Sequence, residues 1–418
     1  MSNEKIKVLT LGDHPLAPSG VGIQTKLFIE GILDTGKYSV ISLAGAAKQA
    51  DFTPLKTEKY GEDWKIFPIE GYGTPEVIRS VLRTEKPDVV WFMTDPRYWT
   101  WLWQLEDEIR PLAPMVYYHV WDNYPAPLFN QKYYESNDVI ATISKVTSDI
   151  VQTVAPSVKE VRIPHTVDPE VFKPLPEEEV QAFREAHMGT DDRVLFFWNN
   201  RNARRKHPTS LLWWFKEFAE EVGEENVALL VHTDPQDPVG SDLELNLRHM
   251  GFNEGQIMLS PLKYPPDRMA LLYNLADCTI NISDAEGFGL STLESLACAT
   301  PIIVNMTGGL QEQVTDGESW FGVGIEPASK AVIGSQMVPY IYEDRVSKED
   351  FIKALHEIYN MTKEERANLG AAGRQHVENN YNHESFCKQW DDILSEVVTT
   401  CGSWETSKHN NWELLEVA

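Results

Sequence analysis

The sequence has few cysteines, and they lie far apart. Four occur in 418 residues, and no two of them form a CxxC pair; they are Cys278, Cys298, Cys387 and Cys401. Disulfide-stapled folds and zinc modules depend on closely spaced cysteines, so the pattern indicates neither. Free, scattered cysteines are typical of a reducing compartment, and we expect a soluble, cytoplasmic protein.

Long hydrophobic runs and a leader-like start are also missing. No apolar stretch approaches the roughly 20 residues that cross a bilayer. The first residues, MSNEKIKVLT, pass directly from charge into a short apolar segment, so we expect no signal peptide. Hydrophobic residues make up 42% and charged residues 24%, which is a globular composition. A chain of this length exceeds one hydrophobic core and predicts two domains.

Basic charge is scarce. The chain has 37 Lys and Arg against 63 Asp and Glu, which gives a formal net charge of −26. Such a field repels phosphate backbones at long range, and it argues against non-specific binding to nucleic acid or to anionic membranes. A small local basic pocket remains compatible with this charge.

Apolar runs alternate with amphipathic stretches along the whole chain. In the first half, buried strands are predicted at IKVLTLG, YSVISLAG, DVVWFMTD, MVYYHVWD and VIATIS. In the second half they are predicted at RVLFFWNN, VALLVHTD, CTINIS and TPIIVN. This alternation favours parallel sheets covered by helices, and we predict an α/β protein with two doubly wound, Rossmann-like domains.

The domain boundaries are predicted from a polar, proline-containing segment, EVFKPLPEEEVQAFREAHMGTDD, interpreted as the crossing between domains. The prediction is an N-terminal domain at 1–180, a C-terminal domain at 181–385, and a helix with a tail at 386–418. The helix HESFCKQWDDILSEVV is amphipathic, and the stretch TTCGSWETSKHNNWELLEVA after it is expected to be loosely structured. Ligands of such folds sit in the crevice at the carboxyl ends of the strands.

The stretch from Ser283 to Gly309 carries the most chemistry. A predicted strand ends, a loop with Glu286, Gly287, Phe288 and Gly289 follows, and a helix is expected to begin near Leu290 and to carry Glu294. Glycines let backbone amides approach a ligand closely, and a helix N-terminus suits a diphosphate or sugar hydroxyls.

The two carboxylates in this stretch would repel phosphate, but each can accept hydrogen bonds from vicinal hydroxyls. Glu286 then holds a sugar and Glu294 a ribose. The alternative is that Glu294 is a solvated helix residue and that Glu286 is an N-terminal capping carboxylate.

The order E-G-F-G-L-S-x-L-E, then A-x-x-x-P-I-I, then Gly308–Gly309, resembles the paired-glutamate motif of family 4 glycosyltransferases. The segments IPHTVDPEVFKP, ATISKVTSDI and PSGVGIQTKLFIEGIL resemble other parts of that family, although His165–Thr166 replaces its usual Asn–Gly. The resemblance covers about residues 6 to 395. It implies a GT-B fold, with two Rossmann-like domains facing a central cleft and a C-terminal helix crossing back to the first domain.

The resemblance also implies a role for the basic segment WNNRNARRKHP. Arg201 and Lys206 match the family's Arg and Lys that grip the donor diphosphate, where preformed cations stabilise the leaving group's growing charge. We therefore expect them to stand in for a metal ion. Arg204 and Arg205 either touch the donor or pair with surface acids.

Three further positions follow from the same resemblance. Gly20 and Gly22 follow the first predicted strand and match the family's glycine-rich loop, whose amides meet the diphosphate; a tight turn alone would also explain them. His119 ends a predicted strand, where the family has a His near the reacting sugar, although a lone strand-end His is more often structural.

Two aspartates are the candidates for acceptor binding. Asp95 and Asp122 each end a predicted strand of the first domain. Aromatic residues in RYWTWLWQ either stack on an acceptor sugar or pack in the interior, which is the commoner use.

The sequence therefore predicts a retaining glycosyltransferase that moves a sugar from a nucleotide-diphosphate sugar, such as a UDP- or GDP-sugar, to a hydroxyl acceptor. It predicts no metal and no cofactor. The acceptor is open among a glycan, a lipid, a protein and a modified nucleic-acid base. The alternatives are an inactive GT-B scaffold or partner-binding protein, and an epimerase or phosphorylase on the same fold.

Overall fold

The computed structural model describes residues 5–46, 51–188, 192–251 and 255–409. The chain divides into two compact units. Unit 1 comprises residues 1–165 and 384–418, and unit 2 comprises residues 166–383. Each has its own parallel sheet.

Unit 1 and the last helix contain these strands and helices: β1 (Ile6–Asp13), α1 (Gly20–Leu33), β2 (Tyr38–Gly45), β3 (Leu55–Lys56), β4 (Trp64–Pro68), α2 (Pro75–Glu85), β5 (Val89–Met93), α3 (Thr100–Trp103), α4 (Glu106–Ile109), β6 (Met115–His119), α5 (Gln131–Glu135), β7 (Val139–Thr142), α6 (Lys145–Val154), β8 (Lys159–Arg162) and α15 (His383–Cys401).

Unit 2 contains these: α7 (Glu177–Met188), β9 (Val194–Asn199), α8 (Pro208–Val222), β10 (Val227–His232), α9 (Leu243–Met250), β11 (Ile257–Ser260), α10 (Pro266–Leu275), β12 (Cys278–Asn281), α11 (Leu290–Ala297), β13 (Ile302–Asn305), α12 (Leu310–Val314), β14 (Gly322–Ile325), β15 (Ser329–Ile333), β16 (Ile341–Arg345), α13 (Lys348–Asn360) and α14 (Lys363–Asn380).

The sheet of unit 1 has the order β3-β4-β2-β1-β5-β6-β7-β8, with β3 antiparallel at one edge. All five residues of β5 are buried, because helices cover both faces of a parallel sheet. Helix α15 packs on this unit through Trp390, whose ring lies 4.8 Å from Phe28 and 5.9 Å from Trp91. Its Asp391 accepts a hydrogen bond from the Tyr38 hydroxyl at 2.7 Å.

The sheet of unit 2 has the order β11-β10-β9-β12-β13-β14, and all its neighbouring pairs are parallel. The chain thus moves outward from β9 to β11, then returns to the other side of β9 with β12. This order reverses between β9 and β12, which makes that position the topological switch point of a Rossmann fold. The α/β class and the two Rossmann-like units are confirmed.

Two segments differ from the expected organisation. The polar segment predicted as a crossing contains α7, whose Val180 and Phe183 pack against the buried cluster of Leu195, Ala228 and Leu275 in unit 2. The tail after α15 is not loose up to residue 409: the Trp404 amide donates to the Leu112 carbonyl at 2.9 Å, and its indole donates to the Pro87 carbonyl at 3.0 Å. The rest of that tail, 410–418, lies outside the described residues.

Candidate active site

The loops that follow β9 and β12 lie side by side at the switch point of unit 2. The two strands pair in parallel, with Phe196 opposite Cys278 and Phe197 opposite Thr279. Parallel strands end at the same edge, so the basic segment after β9 meets the glutamate loop after β12. The backbone joins them directly: the Asp284 amide donates to the Arg205 carbonyl at 2.8 Å.

An ion pair connects the charged side chains of these loops. The Lys206 ammonium donates to Oε2 of Glu286, and the two side chains are only 9% and 14% exposed. Burial alone would raise the pKa of Glu286, but the nearby charges of Lys206 and Arg205 hold it below its usual value. The site therefore holds an ionised carboxylate and a cation in contact, with little water around them.

The glycines shape the glutamate loop. Gly289 has φ +95°, a conformation that side chains disfavour, and it directly precedes α11, which begins at Leu290 as expected. A Cβ on Gly309 would lie 2.6 Å from the Gly287 carbonyl oxygen and 2.7 Å from Cα of Phe288. The glycine pair after β13 thus lets α12 approach the loop.

Hydrogen bonds from the start of α12 and from α12 itself hold the glutamate loop in place. The backbone amide of Gly309 donates to the Glu286 carbonyl at 3.0 Å, and the side-chain amide of Gln313 donates through Nε2 to the Phe288 carbonyl at 2.8 Å. Phe288 itself is buried and packs edge-on against Tyr381. These contacts fix the carbonyls of Glu286 and Phe288 and so orient the backbone of the loop.

Glu294 lies on the first turns of α11 in a different environment from Glu286. It accepts a hydrogen bond from the Tyr273 hydroxyl at 2.6 Å, and that hydroxyl accepts one from the Asn199 side chain at 2.7 Å. Burial raises the pKa of Glu294 to about 7, although the Tyr273 hydrogen bond pulls it down. Sequence reasoning missed Tyr273 and Asn199.

Two arginines of the basic segment pair with acids outside the glutamate loop, whereas Arg205 donates to the carbonyl of Ala285, next to Glu286. The Arg201 guanidinium, 64% exposed, makes two hydrogen bonds to Asp237, at 2.7 and 3.1 Å. Arg204 pairs with the buried Glu343 on β16. The structure thus brings Lys206 and Glu286 together, whereas the Arg201 side chain pairs with Asp237 in the loop after β10.

Buried polar groups that sequence reasoning also missed support the two loops. Asp284 is fully buried and pairs with His207, which stands at φ +54° before α8. The Asp284 carbonyl accepts from the Asp344 amide at 2.9 Å, and Thr307 donates to the Asp344 carboxylate at 2.7 Å. The signal available in the sequence was the position of Asp284 just after a buried strand.

In unit 1, the glycine-rich segment is held at the carboxyl end of β1. Helix α1 begins at Gly20, and the Gly22 amide donates to the hydroxyl of the capping residue Ser19 at 3.0 Å. Ser19 in turn donates to Asp13 at 2.6 Å, and Tyr72 donates to the other oxygen of Asp13 at 2.8 Å. The loop is thus anchored to the strand that precedes it.

His119 ends β6 and is fully buried. Its Nε2 lies 2.6 Å from the Tyr134 hydroxyl, and its Nδ1 lies 3.4 Å from the Trp121 amide. Since an amide can only donate, Nδ1 is the acceptor and Nε2 carries the proton. Burial lowers the pKa of His119 to about 3, so the imidazole is neutral.

The acceptor candidates follow β5 and β6. Asp95 accepts hydrogen bonds from the amide and from Nε of Arg97, both at 2.9 Å. Asp122 is partly buried and adds negative charge near Arg97. Of the nearby aromatics, Trp99 and Trp103 are buried, whereas Tyr98 is 42% exposed.

Metal-ligand side chains come together at one place among the described residues. Asp138, Cys401 and His409 of unit 1 have their ligand atoms within 4.8 Å of one another. Arg110 and His409 already hydrogen-bond to Oδ1 of Asp138, at 3.0 and 2.9 Å. This cluster ties the C-terminal tail to unit 1. None of the helices in the described ranges is both long and apolar enough to span a bilayer.

Comparison with known proteins finds similarity to glycosyltransferases over parts of the chain. Residues 181–376 match the model of the glycosyl transferases group 1. The D-inositol 3-phosphate glycosyltransferase of Acidothermus cellulolyticus is 42% identical over 92 residues, 22% of this chain and 20% of that protein. A GDP-mannose-dependent monoacylated alpha-(1-6)-phosphatidylinositol monomannoside mannosyltransferase of Corynebacterium glutamicum is 27% identical over 238 residues, 56% of this chain and 55% of that protein. The matched segments thus span about a fifth to about half of these relatives.

Solved structures share the fold over nearly the whole chain. Sucrose-phosphate synthase from Thermosynechococcus elongatus has a TM-score of 0.75 at 16% identity, and the match covers 95% of this chain and 100% of that chain. The HepE protein of Anabaena in complex with UDP-glucose has a TM-score of 0.69 at 15% identity, covering 93% of this chain and 99% of that one. Both are GT-B proteins. The chain thus has a GT-B fold, and its residues 181–376, which carry the paired glutamates, are similar to the group 1 glycosyl transferases.

Proposed function

We propose that this protein is a retaining glycosyltransferase that moves a sugar from a nucleotide-diphosphate sugar to a hydroxyl acceptor. The observation that carries the proposal is the largely buried Lys206–Glu286 ion pair at the switch point of unit 2. Rossmann folds bind nucleotides at such a position, and a cation beside a carboxylate matches a ligand with both a diphosphate and a polyhydroxyl group.

The cations serve the leaving group. As the glycosidic bond breaks, negative charge grows on the nucleoside diphosphate, and fixed positive charge in a poorly hydrated site stabilises it. Lys206 is placed for this role, and Arg205 adds positive charge near Glu286. Arg201 joins them when it exchanges its exposed Asp237 contact for phosphate, which a guanidinium binds equally well in a bidentate manner.

Glu286 orients the donor sugar. Its lowered pKa keeps it ionised at neutral pH, so it accepts hydrogen bonds from sugar hydroxyls and stabilises the positive charge that develops at the anomeric carbon. The amides of Gly287, Phe288, Gly289 and Leu290 line the same loop. Glu294 holds the ribose hydroxyls of the nucleotide.

The donor is a UDP- or GDP-sugar. UDP-glucose is present in the HepE complex, and GDP-mannose is named for the corynebacterial relative. We propose that the reaction needs no metal ion and no further cofactor, because Lys206 and the arginines supply the positive charge that a divalent cation would bring.

The acceptor is assigned to unit 1, where Asp95 and Asp122 follow neighbouring strands and can accept hydrogen bonds from hydroxyls. His119 contributes by fixing the end of β6, since it is buried and neutral. A polyol, a glycan, a lipid headgroup, a protein and a modified base all offer the hydroxyl required. The proposed location is the cytoplasm.

The test is a donor screen with the full chain. UDP-, GDP-, ADP- and dTDP-sugars are added separately, and the melting temperature is recorded; 100-fold excess over Kd adds about 2.7 kcal/mol of stability. The stabilising donor is then supplied with candidate acceptors, and NMR of the product reports the anomeric configuration. Retained configuration supports the proposal. Inverted configuration would overturn the retaining reaction. No stabilisation and no transfer with any donor would overturn the proposal as a whole and favour the scaffold alternative.

A further inference from the structure

The two glutamates of unit 2 have different kinds of hydrogen-bond partner. Glu286 pairs with the Lys206 ammonium, whereas Glu294 accepts from the neutral phenol of Tyr273 at 2.6 Å. A neutral donor orients a carboxylate without neutralising it. The contact with Tyr273 thus fixes the orientation of Glu294 without cancelling its negative charge, which suits a carboxylate that accepts hydrogen bonds from hydroxyl groups.

Tyr273 is held rigidly in place. It lies on α10, its side chain is fully buried, and its ring packs edge-on against Phe197 at 5.2 Å and Phe172 at 6.1 Å. Its carbonyl accepts a hydrogen bond from the Thr300 hydroxyl at 2.7 Å. The phenol oxygen therefore has little freedom to leave Glu294.

Asn199 sets the direction of the Tyr273 proton. The last residue of β9, it donates through Nδ2 to the Tyr273 hydroxyl at 2.7 Å. An amide NH₂ can only donate, and a phenol has a single proton, so that proton must point to Glu294. Within the described part of the chain, this bond occupies Oε2 of Glu294 and leaves Oε1 for a ligand.

We propose that Tyr273 is a positioning residue for nucleotide recognition, which aims the Glu294 carboxylate at the ribose hydroxyls, and that Asn199 fixes Tyr273 for this task. The inference rests on the proposed function, because it assigns Glu294 to the ribose. The proposed site thus includes Asn199 at the end of β9 and Tyr273 on α10, in addition to Glu294 on α11.

The same contact affects protonation. Burial raises the pKa of Glu294 to about 7, and the Tyr273 hydrogen bond favours the charged form. Cys298 lies near Glu294, and its burial and this nearness raise its pKa; Arg374 on α14 acts on Cys298 and donates to the Ala297 carbonyl at 2.7 Å. Tyr273→Phe should therefore shift the pH at which Glu294 ionises upward.

The experiment uses calorimetry on the full chain with UDP and with 2′,3′-dideoxy-UDP, which lacks both ribose hydroxyls; GDP and its dideoxy analogue replace them if GDP stabilises the chain more. Tyr273→Phe should lower the affinity for UDP by about 10-fold at pH 7, which is the effect of misplacing a charged hydrogen bond. It should lower the affinity for the dideoxy analogue by less than about 2-fold. The midpoint of UDP affinity against pH should also rise. Tyr359→Phe, a tyrosine on α13 that packs against Phe218, is the matched control and should leave both affinities unchanged.

Glu294→Gln provides the second arm. In that background, Tyr273→Phe should change UDP affinity by less than about 2-fold, because the group through which it acts has lost its charge. Equal losses for UDP and the dideoxy analogue, or an undiminished loss in the Glu294→Gln background, would show that Tyr273 only supports the fold and would overturn the inference. Wild-type protein that binds neither UDP nor GDP would instead overturn the proposed function, and the inference with it.

Discussion

Removing the charge of Lys206 should weaken both the fold of unit 2 and the reaction, and the two effects can be separated. Lys206→Met keeps the length of the side chain but leaves Glu286 with Arg205 as its nearby cation. Breaking a buried ion pair typically costs 3–5 kcal/mol. Because Lys206 is 9% and Glu286 14% exposed, we expect the lower end, about 3 kcal/mol.

A double-mutant cycle isolates the pair. Glu286→Gln removes the other partner, and the double variant leaves no buried charge without a partner, so it should be no less stable than either single variant. Urea unfolding of the full chain, followed by circular dichroism, gives the four free energies. A coupling of about 2–3 kcal/mol is expected. Additive losses would refute the reasoning, since they would mean that the two side chains do not stabilise each other.

The pH dependence of this stability has a definite sign. The pKa of Glu286 is lowered in the folded protein, so its contribution is present above its ordinary pKa near 4.5 and is lost as the pH falls through the lowered value. In Lys206→Met that pKa should rise. The difference in stability between wild type and variant should therefore shrink below about pH 4.5.

Two further outcomes follow from the site. Turnover should survive EDTA, because Lys206 and the arginines supply the positive charge; complete loss that manganese restores would contradict the metal-free proposal. Gly309→Ala should weaken nucleoside diphosphate binding by about 10-fold or more, since its Cβ would meet the backbone of Gly287 and Phe288 at 2.6 and 2.7 Å. Calorimetry measures this, and unchanged affinity would show that the loop does not need the close approach of α12.

The sequence predicted the parts of the site that depend on local pattern. RVLFFWNN and CTINIS are continuous apolar runs that end in polar residues, and they form β9 and β12; the helix expected near Leu290 begins there. The order of the strands was not predictable in this way, because register and neighbours depend on long-range packing. That order is what brings Lys206 to Glu286, 80 residues further along the chain.

Contacts between distant residues account for what was missed. Tyr273 lies in the apolar pattern of α10, where a tyrosine is indistinguishable from a core residue until Asn199 and Glu294 are seen beside it. Arg201 and Lys206 follow the same strand, but the partner of Arg201 is Asp237, in a loop that the motif does not include. The hairpin of β15 and β16 mixes polar and apolar residues and gave no strand signal.

The central claim is that Glu286 acts on the sugar and Glu294 on the nucleotide, and mutation of each tests it most directly. Glu294→Gln should weaken the binding of nucleoside diphosphate by about 1–3 kcal/mol. The hydrogen bond between Glu294 and the ribose is present in the ground state and in the transition state alike, so its loss affects KM. Glu286→Gln should leave that affinity nearly intact and lower kcat by about 10²-fold or more.

The measurement is calorimetric binding of the stabilising nucleoside diphosphate, combined with steady-state rates for wild type and both variants. The account predicts that Glu294→Gln loses binding while Glu286→Gln loses turnover. Loss of nucleotide binding in Glu286→Gln with normal behaviour of Glu294→Gln would reverse the roles, and unchanged binding and rate in both variants would contradict the assignment of the site.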